Sequence, residues 1–269
     1  MSEPTDVDGD RFAWRESGDG HVLVLLHGLS GSRLSWEPQL HGLANVAHVV
    51  AWDQPGYGNS APLDGAVTFA ALADSVIDFV DTIGAGQVHL AGISFGGIVA
   101  QYVAVRHPQR LLTLTLLSSS PAFGLDGTKP DDWRAARLAP LDDGREPADF
   151  ADEVLSAIAG PRVSPEAMAG QRDAMARVPG DALRCAIDCL VTHDSRALLP
   201  GITTPTLCVV GELDTETPVA YAFALADLIP HARLIVIPDA GHLLNVEAPD
   251  EVNRLLGEQL QSMSEGADA

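Results

Sequence analysis

Short, uninterrupted apolar runs alternate along the chain with longer stretches in which apolar residues recur every three or four positions. The runs are His21–Leu26, Val46–Trp52, Val88–Leu90, Leu111–Leu117, Pro205–Gly211 and Ala232–Ile237. Each has the length of a strand, and continuous apolar character marks a strand buried on both faces of a parallel sheet. Arg11–Glu16 alternates polar with apolar and reads as an edge strand. Between the runs lie amphipathic stretches. One starts near Ser35 and ends near Gly42. Another is capped by Thr68, carries Leu72, Val76, Phe79, Val80 and Ile83 on one side, and closes at Gly84. Ile98–Val105, apolar nearly throughout but long enough for a helix, is ended by His107-Pro108; a further helix follows Pro218 and ends at Leu228, and Pro249–Leu260 is the last. Strand and helix in strict alternation imply a parallel sheet with right-handed crossovers.

The rhythm breaks between residues 120 and 199. No strand is legible there, and helices are predicted near Asp131–Leu138, Pro147–Ala159, Ser164–Arg177 and Asp181–His193. This divides the chain into a core, residues 1–119 and 200–269, and a helical insertion, residues 120–199, short of the usual size of an independent domain. Residues 1–10 read as a disordered acidic lead-in, and the polar tail to Ala269 as frayed.

Composition narrows the classes. The chain has 269 residues, 46% of them hydrophobic, enough for one large α/β unit. No apolar run reaches the length of a membrane span. The first residues are acidic and lack the basic-then-apolar order of a secretion signal, so a cytoplasmic location is expected. Net charge is −21, with Lys129 the single lysine. Such a surface repels nucleic acid and anionic membranes, and an anionic substrate would need local arginines to overcome the field. Oligomeric state is not legible. The cysteines, Cys185, Cys189 and Cys208, form neither a C-x-x-C nor a zinc spacing and read as free thiols. With no P-loop, dinucleotide fingerprint or metal-ligand cluster, no cofactor and no metal are expected.

Candidate chemistry sits at the ends of the runs. In an open parallel sheet, ligands bind outside the carboxyl ends of the strands. His27-Gly28, Ser94, Asp214 and His242 all follow such ends. Ser94 occupies a G-x-S-x-G frame between a strand and a helix, where a strained turn exposes the hydroxyl. Asp214 and His242 are separated by one helix and one strand, which makes them neighbours. Asp53 and Asp126 are rival acids. Asp53 lies in a Pro-Gly-x-Gly loop that it more simply holds together, and Asp126 follows the run ending at Leu117. His27 reads as shaping its loop, and His107, His193 and His231 as lying at helix ends.

These pieces resemble the α/β-hydrolase superfamily over nearly the whole chain. The matching motifs are Leu26-His27-Gly28, Asp53-x-Pro-Gly56-x-Gly58-x-Ser60, Gly92-x-Ser94-x-Gly96-Gly97, Gly211-x-x-Asp214-x-x-Thr217-Pro218 and Ala240-Gly241-His242-x-x-x-x-Glu247-x-Pro249. Asp131–Arg134, Cys185–Ile187 and Thr192–Arg196 are similar to the lid of the 3-oxoadipate enol-lactonase and carboxylesterase branch. The resemblance implies a mostly parallel sheet flanked by helices, with a helical lid (cap) inserted after the sheet's sixth strand, here Leu111–Leu117. It implies a Ser94–Asp214–His242 catalytic triad, with an oxyanion hole of the Leu29 and Phe95 N–H groups. Trp36, Phe123, Trp133, Met168 and Met175 are candidates for an apolar pocket under the lid, each equally readable as plain core. Arg134 is the candidate partner of a substrate carboxylate.

The expected activity is that of a cofactor-free serine esterase or lactonase, acting on a small ester or lactone through an acyl-enzyme, with a small enol-lactone such as 3-oxoadipate enol-lactone as best guess. Related dehalogenases and epoxide hydrolases place an aspartate where Ser94 stands, which argues against those reactions. Thioesterase and lipase action stay open as well, the small lid arguing against long-chain lipids, and two further alternatives remain at this point: hydrolysis of a C–C bond in a vinylogous diketone, and ligand binding without turnover.

Overall fold

The computed structural model describes residues 3–261. The chain opens with β1 (Thr5–Asp8), β2 (Ala13–Ser17) and β3 (Val22–Leu26), then a 3-10 turn at Arg33–Trp36 and α1 (Glu37–Gly42). Next come β4 (His48–Trp52), α2 (Phe69–Thr82), β5 (Val88–Ile93), α3 (Phe95–Arg106) and β6 (Leu111–Leu117). Four helices follow: α4 (Pro130–Asp142), α5 (Pro147–Ile158), α6 (Pro165–Met175) and α7 (Gly180–Leu190). The alternation resumes with β7 (Thr206–Gly211), α8 (Val219–Leu228) and β8 (Arg233–Ile237), and ends on α9 (Leu244–Glu247) and α10 (Pro249–Gln261).

The strands form one sheet in the order β1-β2-β4-β3-β5-β6-β7-β8. β1, β2 and β4 pair antiparallel, and the remaining pairs are parallel. From β3 the chain crosses first outward to β4, then back past β3 to β5. The carboxyl ends of β3 and β5 therefore flank the point where the winding reverses, the place where an open α/β sheet forms its crevice. The loops bearing His27 and Ser94 leave from there.

Helices cover both faces. α1 and α10 bury Leu40, Val252, Leu255 and Leu256 against Leu23, Leu25 and Val49. α2 and α3 bury Leu72, Val76, Phe79, Ile98 and Val99 against Val24, Val50 and Leu90. The Thr68 hydroxyl caps α2, accepting from the Ala71 N–H at 3.1 Å. Phe79 meets Phe12, Trp14 and Trp52 at ring separations of 5.5–5.8 Å. Truncating such a residue costs about 3–5 kcal/mol. The four helices between β6 and β7 join this second core through Leu138, Phe150, Leu155, Met175, Leu183 and Ile187.

Several expectations need correction. Residues 5–8 are not a disordered lead-in but β1, paired with β2. Their acidic side chains find cations: Asp6 lies 3.1 Å from Arg15 and 3.3 Å from Arg33, and Asp8 lies 2.7 Å from Arg33. α4 continues beyond Leu138 to Asp142 with Pro140 inside it, so the Ala136 carbonyl goes without its usual N–H donor one turn on. α7 stops at Leu190, short of His193, and leaves that ring buried against Phe69 and Tyr102. The frayed tail expected after Leu260 falls, from residue 262 on, outside the described residues.

Candidate active site

Ser94 joins β5 to α3 with φ 53° and ψ −119°, a left-handed conformation that a side-chain-bearing residue adopts only under constraint. Two glycines permit it. A Cβ on Gly92 would stand 2.3 Å from the Gly96 carbonyl oxygen, and one on Gly96 would stand 2.2 Å from that of Leu26. The frame is thus a packing requirement: β3, β5 and α3 approach too closely there for any side chain.

The Ser94 hydroxyl donates to His242 Nε2 at 2.9 Å. On the other side of the ring, His242 Nδ1 lies 2.9 and 3.0 Å from the two Asp214 oxygens. The Asp214 carboxylate also accepts from the Glu216 and Thr217 N–H groups at 3.0 and 2.9 Å and from the Thr217 hydroxyl at 2.9 Å. Burial pushes the Asp214 carboxyl up, but the His242 charge and these donors outweigh it and hold it below the usual carboxylate range. Burial pulls the His242 imidazole down, and here too the partners win. Asp214 first, then Glu216 and Glu247, raise it above its ordinary value of 6.5. The His242 loop is pinned from above as well, its N–H donating to the Ile158 carbonyl at the end of α5 at 3.1 Å.

The rival acids stay elsewhere. Asp53 accepts from the Arg33 N–H at 2.8 Å and, through its backbone carbonyl, from the Ser60 hydroxyl at 2.7 Å. It ties its loop together. Asp126 accepts from the Thr128 N–H at 2.9 Å and does not reach His242.

His27 is buried and fully committed. Its Nε2 accepts from the Gln54 N–H at 3.1 Å, so the ring proton sits on Nδ1 and donates to the Gly28 carbonyl at 2.8 Å. Burial lowers its pKa to about 4, so the ring is neutral at ordinary pH. The Gly28 carbonyl takes a second bond from the Gly31 N–H at 3.0 Å. A peptide unit so held by its oxygen turns its N–H, that of Leu29, the opposite way. The Tyr57 hydroxyl fixes the next peptide through the Leu29 carbonyl at 2.9 Å. Phe95 supplies the first N–H of α3, a position with no intrahelical acceptor.

Two lobes of one crevice meet at Ser94. The first, about 100 Å³, is walled by Ile93, Leu155, Ile158, Leu190 and Leu243, with Gly28 and Leu29 at its base. The second, about 270 Å³, is more polar and includes Ser119, Phe123, Asp126 and Tyr221. Trp133, Arg137, Leu190 and Glu216 border both.

Trp133 lines both lobes and Phe123 the more polar one, their rings 5.3 Å apart. Trp36 lines neither. It is wholly buried in the core under α1 and α10, and its neighbour Ser35 lines the crevice instead. Arg134 is also misplaced. It pairs with Asp188 at 2.5 Å on the outer side of α4 and lines neither lobe. One helical turn on, Arg137 is the arginine that faces Ser94. Helical spacing leaves both positions open, and only the direction of α4 decides. Met175 is buried in the core and also lines a further cavity between α4, α5 and α7 that touches Leu29 and Arg137, and Met168 packs half-buried against the core. Arg137 and Glu216 carry no motif that reading the sequence could have used.

The alpha/beta hydrolase fold, as a family, matches residues 21–249 of the chain. This chain is an α/β-hydrolase. It is 32% identical to a provisionally named carbamate hydrolase, RutD, of Variovorax paradoxus, over 91% of this chain and 94% of that protein. It is 31% identical to a pimeloyl-[acyl-carrier protein] methyl ester esterase of Aeromonas hydrophila, over 87% of this chain and 93% of the other. Among solved structures, the enol-lactonase of Burkholderia xenovorans superposes with a TM-score of 0.83 at 24% identity, covering 96% of this chain and all (100%) of that one, a likeness of fold. Among the described residues of this α/β-hydrolase, no cluster of acidic, His or Cys side chains could hold a metal, and no helix is long and apolar enough to cross a membrane.

Proposed function

We propose that this α/β-hydrolase is a serine hydrolase that cleaves a carboxylic ester or lactone through an acyl-enzyme. The observation that carries the reading is the unbroken hydrogen-bonded line Ser94–His242–Asp214 opening into a half-apolar crevice. The membership and the methyl ester esterase relative support the same class.

Ser94 Oγ attacks the substrate carbonyl carbon while its proton passes to His242 Nε2. Asp214 holds the imidazole with its proton on Nδ1 and stabilises the imidazolium. The negative charge that develops on the carbonyl oxygen falls to the Leu29 and Phe95 N–H groups, with the positive end of α3 behind them. Collapse breaks the C–O bond, and His242 returns the proton to the leaving alkoxide. Water then repeats the sequence on the acyl-Ser94 ester, giving the acid and free enzyme. Protons and electrons balance within these groups and water, so the reaction calls for no cofactor. A small enol-lactone falls within this substrate class. The helices α4–α7 serve as the lid, residues 120–199 forming the insertion and the rest of the chain the core.

Purified protein should hydrolyse short aryl esters and react with a fluorophosphonate probe at Ser94. Absence of both from folded protein would overturn the reading, and negligible esterase activity beside rapid cleavage of a ring-fission diketone would move it to C–C hydrolysis.

A further inference from the structure

Where the two lobes meet, an ion pair borders both of them, as Ser94 does. Arg137 of α4 lies 2.8 Å from Glu216, which follows Asp214 by two residues. The guanidinium also rests over the Trp133 ring, 5.1 Å from its centre. Both charges are about 30% exposed, at 29% and 32%, so they meet whatever enters. Among the described residues, Arg137 is the only arginine or lysine lining either lobe. Its charge is already neutralised by Glu216, and Asp126 adds a further negative charge in the second lobe. The arginine that was to greet a carboxylate, Arg134, is bound to Asp188 outside. The chain as a whole carries −21.

We infer that the Arg137–Glu216 pair is the charge filter of the site: it admits esters and lactones that bear no carboxylate and turns away those that do. The inference rests on the serine-hydrolase reading and deepens it. A substrate carboxylate in either lobe must face Glu216 or Asp126, or share with Glu216 the one guanidinium there, an N–H of which Glu216 already holds at 2.8 Å. A neutral substrate leaves the pair intact and uses the apolar face of Trp133 beside it. The substrate class is therefore uncharged. A lactone acid should be a poor substrate where its methyl ester is a good one.

The test uses matched pairs with the charge on each side of the scissile bond: 4-nitrophenyl levulinate against 4-nitrophenyl hydrogen succinate, and 4-acetylphenyl acetate against 4-carboxyphenyl acetate. Wild-type kcat/KM should favour the neutral member of at least one pair by about tenfold or more. Glu216→Gln frees Arg137, and the preference in that pair should shrink or reverse. Arg137→Gln should widen it. Taking the ratio within one protein cancels any effect of Glu216 on His242. Equal wild-type turnover of both members in both pairs overturns the filter, and so does a ratio that neither substitution moves. If one variant fails to fold, the other decides by the direction of its change. Calorimetric binding of the same pairs to Ser94→Ala protein reads the filter without turnover. Loss of all turnover would therefore refute the hydrolase reading alone, while equal binding of both members would refute the filter alone.

Discussion

The strand ends and the helical wall face each other across one crevice, yet they hold their residues by different means. Ser94, Asp214, His242 and the Leu29 N–H are fixed largely through main chain: a forced φ at Ser94, backbone donors to Asp214, a pinned peptide at Gly28. Trp133, Arg137 and Leu190 on α4 and α7 are held by side-chain packing and by ion pairs that water partly screens. The floor is therefore rigid and intolerant of change, whereas the wall can be rewritten without losing the chemistry. Substitutions on the two sides should separate kcat from KM accordingly.

The largest effects belong to the floor. Ser94→Ala should lower kcat/KM by about 10⁴-fold or more while the circular dichroism spectrum stays native. Asp214→Asn should cost about 10⁴-fold in kcat, because the ring loses both its tautomer and its counter-charge. The pH profile gives the same interaction a sign. In the proposed mechanism His242 must be neutral to take the Ser94 proton, and Asp214 raises its pKa above 6.5. Activity should accordingly rise with pH through a limb above 6.5 and fall away in acid. In Asp214→Asn the residual activity should show that limb at lower pH. An unmoved limb would mean that another group titrates.

Gly96→Ala should act through folding instead. The added methyl would meet the Leu26 carbonyl at 2.2 Å, a contact only backbone movement can relieve. A loss of more than about 3 kcal/mol in urea unfolding is expected. A variant as stable as the parent would show that β3 and α3 can part without cost.

The same contrast explains what could be read from the sequence. Gly92, Ser94 and Gly96 were legible because the close approach of two strands and a helix admits few residue types. Asp214 and His242 were legible because each ends a strand, and the sheet brings strand ends to one edge. β1 was missed because its sequence is acidic and its partners, Arg15 and Arg33, come from further along the chain. Trp36 and Arg134 were misplaced for a related reason. A tryptophan after the turn can point into the core or into the crevice, and an arginine on α4 can face in or out. The rotation of each element about its axis decides, and that rotation is set by packing no single stretch of sequence contains.

His27 tests the floor one step removed from the reacting atoms. Its Nδ1–H holds the Gly28 carbonyl and so aims the Leu29 N–H. His27→Ala should lower kcat by about 10–10²-fold, less than or equal to the loss of an oxyanion donor itself, and leave KM nearly unchanged. With its pKa near 4, the ring is neutral wherever His242 works, so the acid limb should not shift. A moved limb would make His27 a proton carrier rather than a positioning residue.

Trp133→Ala sharpens the other half of the comparison with the smallest expected effect on rate. The ring borders both lobes, supports Arg137 and packs edge-on against Phe123, but lies apart from the hydrogen-bonded line at Ser94. Its removal should raise KM for an apolar aryl ester by about tenfold, the worth of one lost aromatic contact, and change kcat by no more than a few-fold. Wall residues would then govern what binds and floor residues how fast it reacts. A large fall in kcat at unchanged KM would instead mean that α4 helps to position the substrate carbonyl against Ser94, and that the wall belongs to the chemistry as much as the floor does.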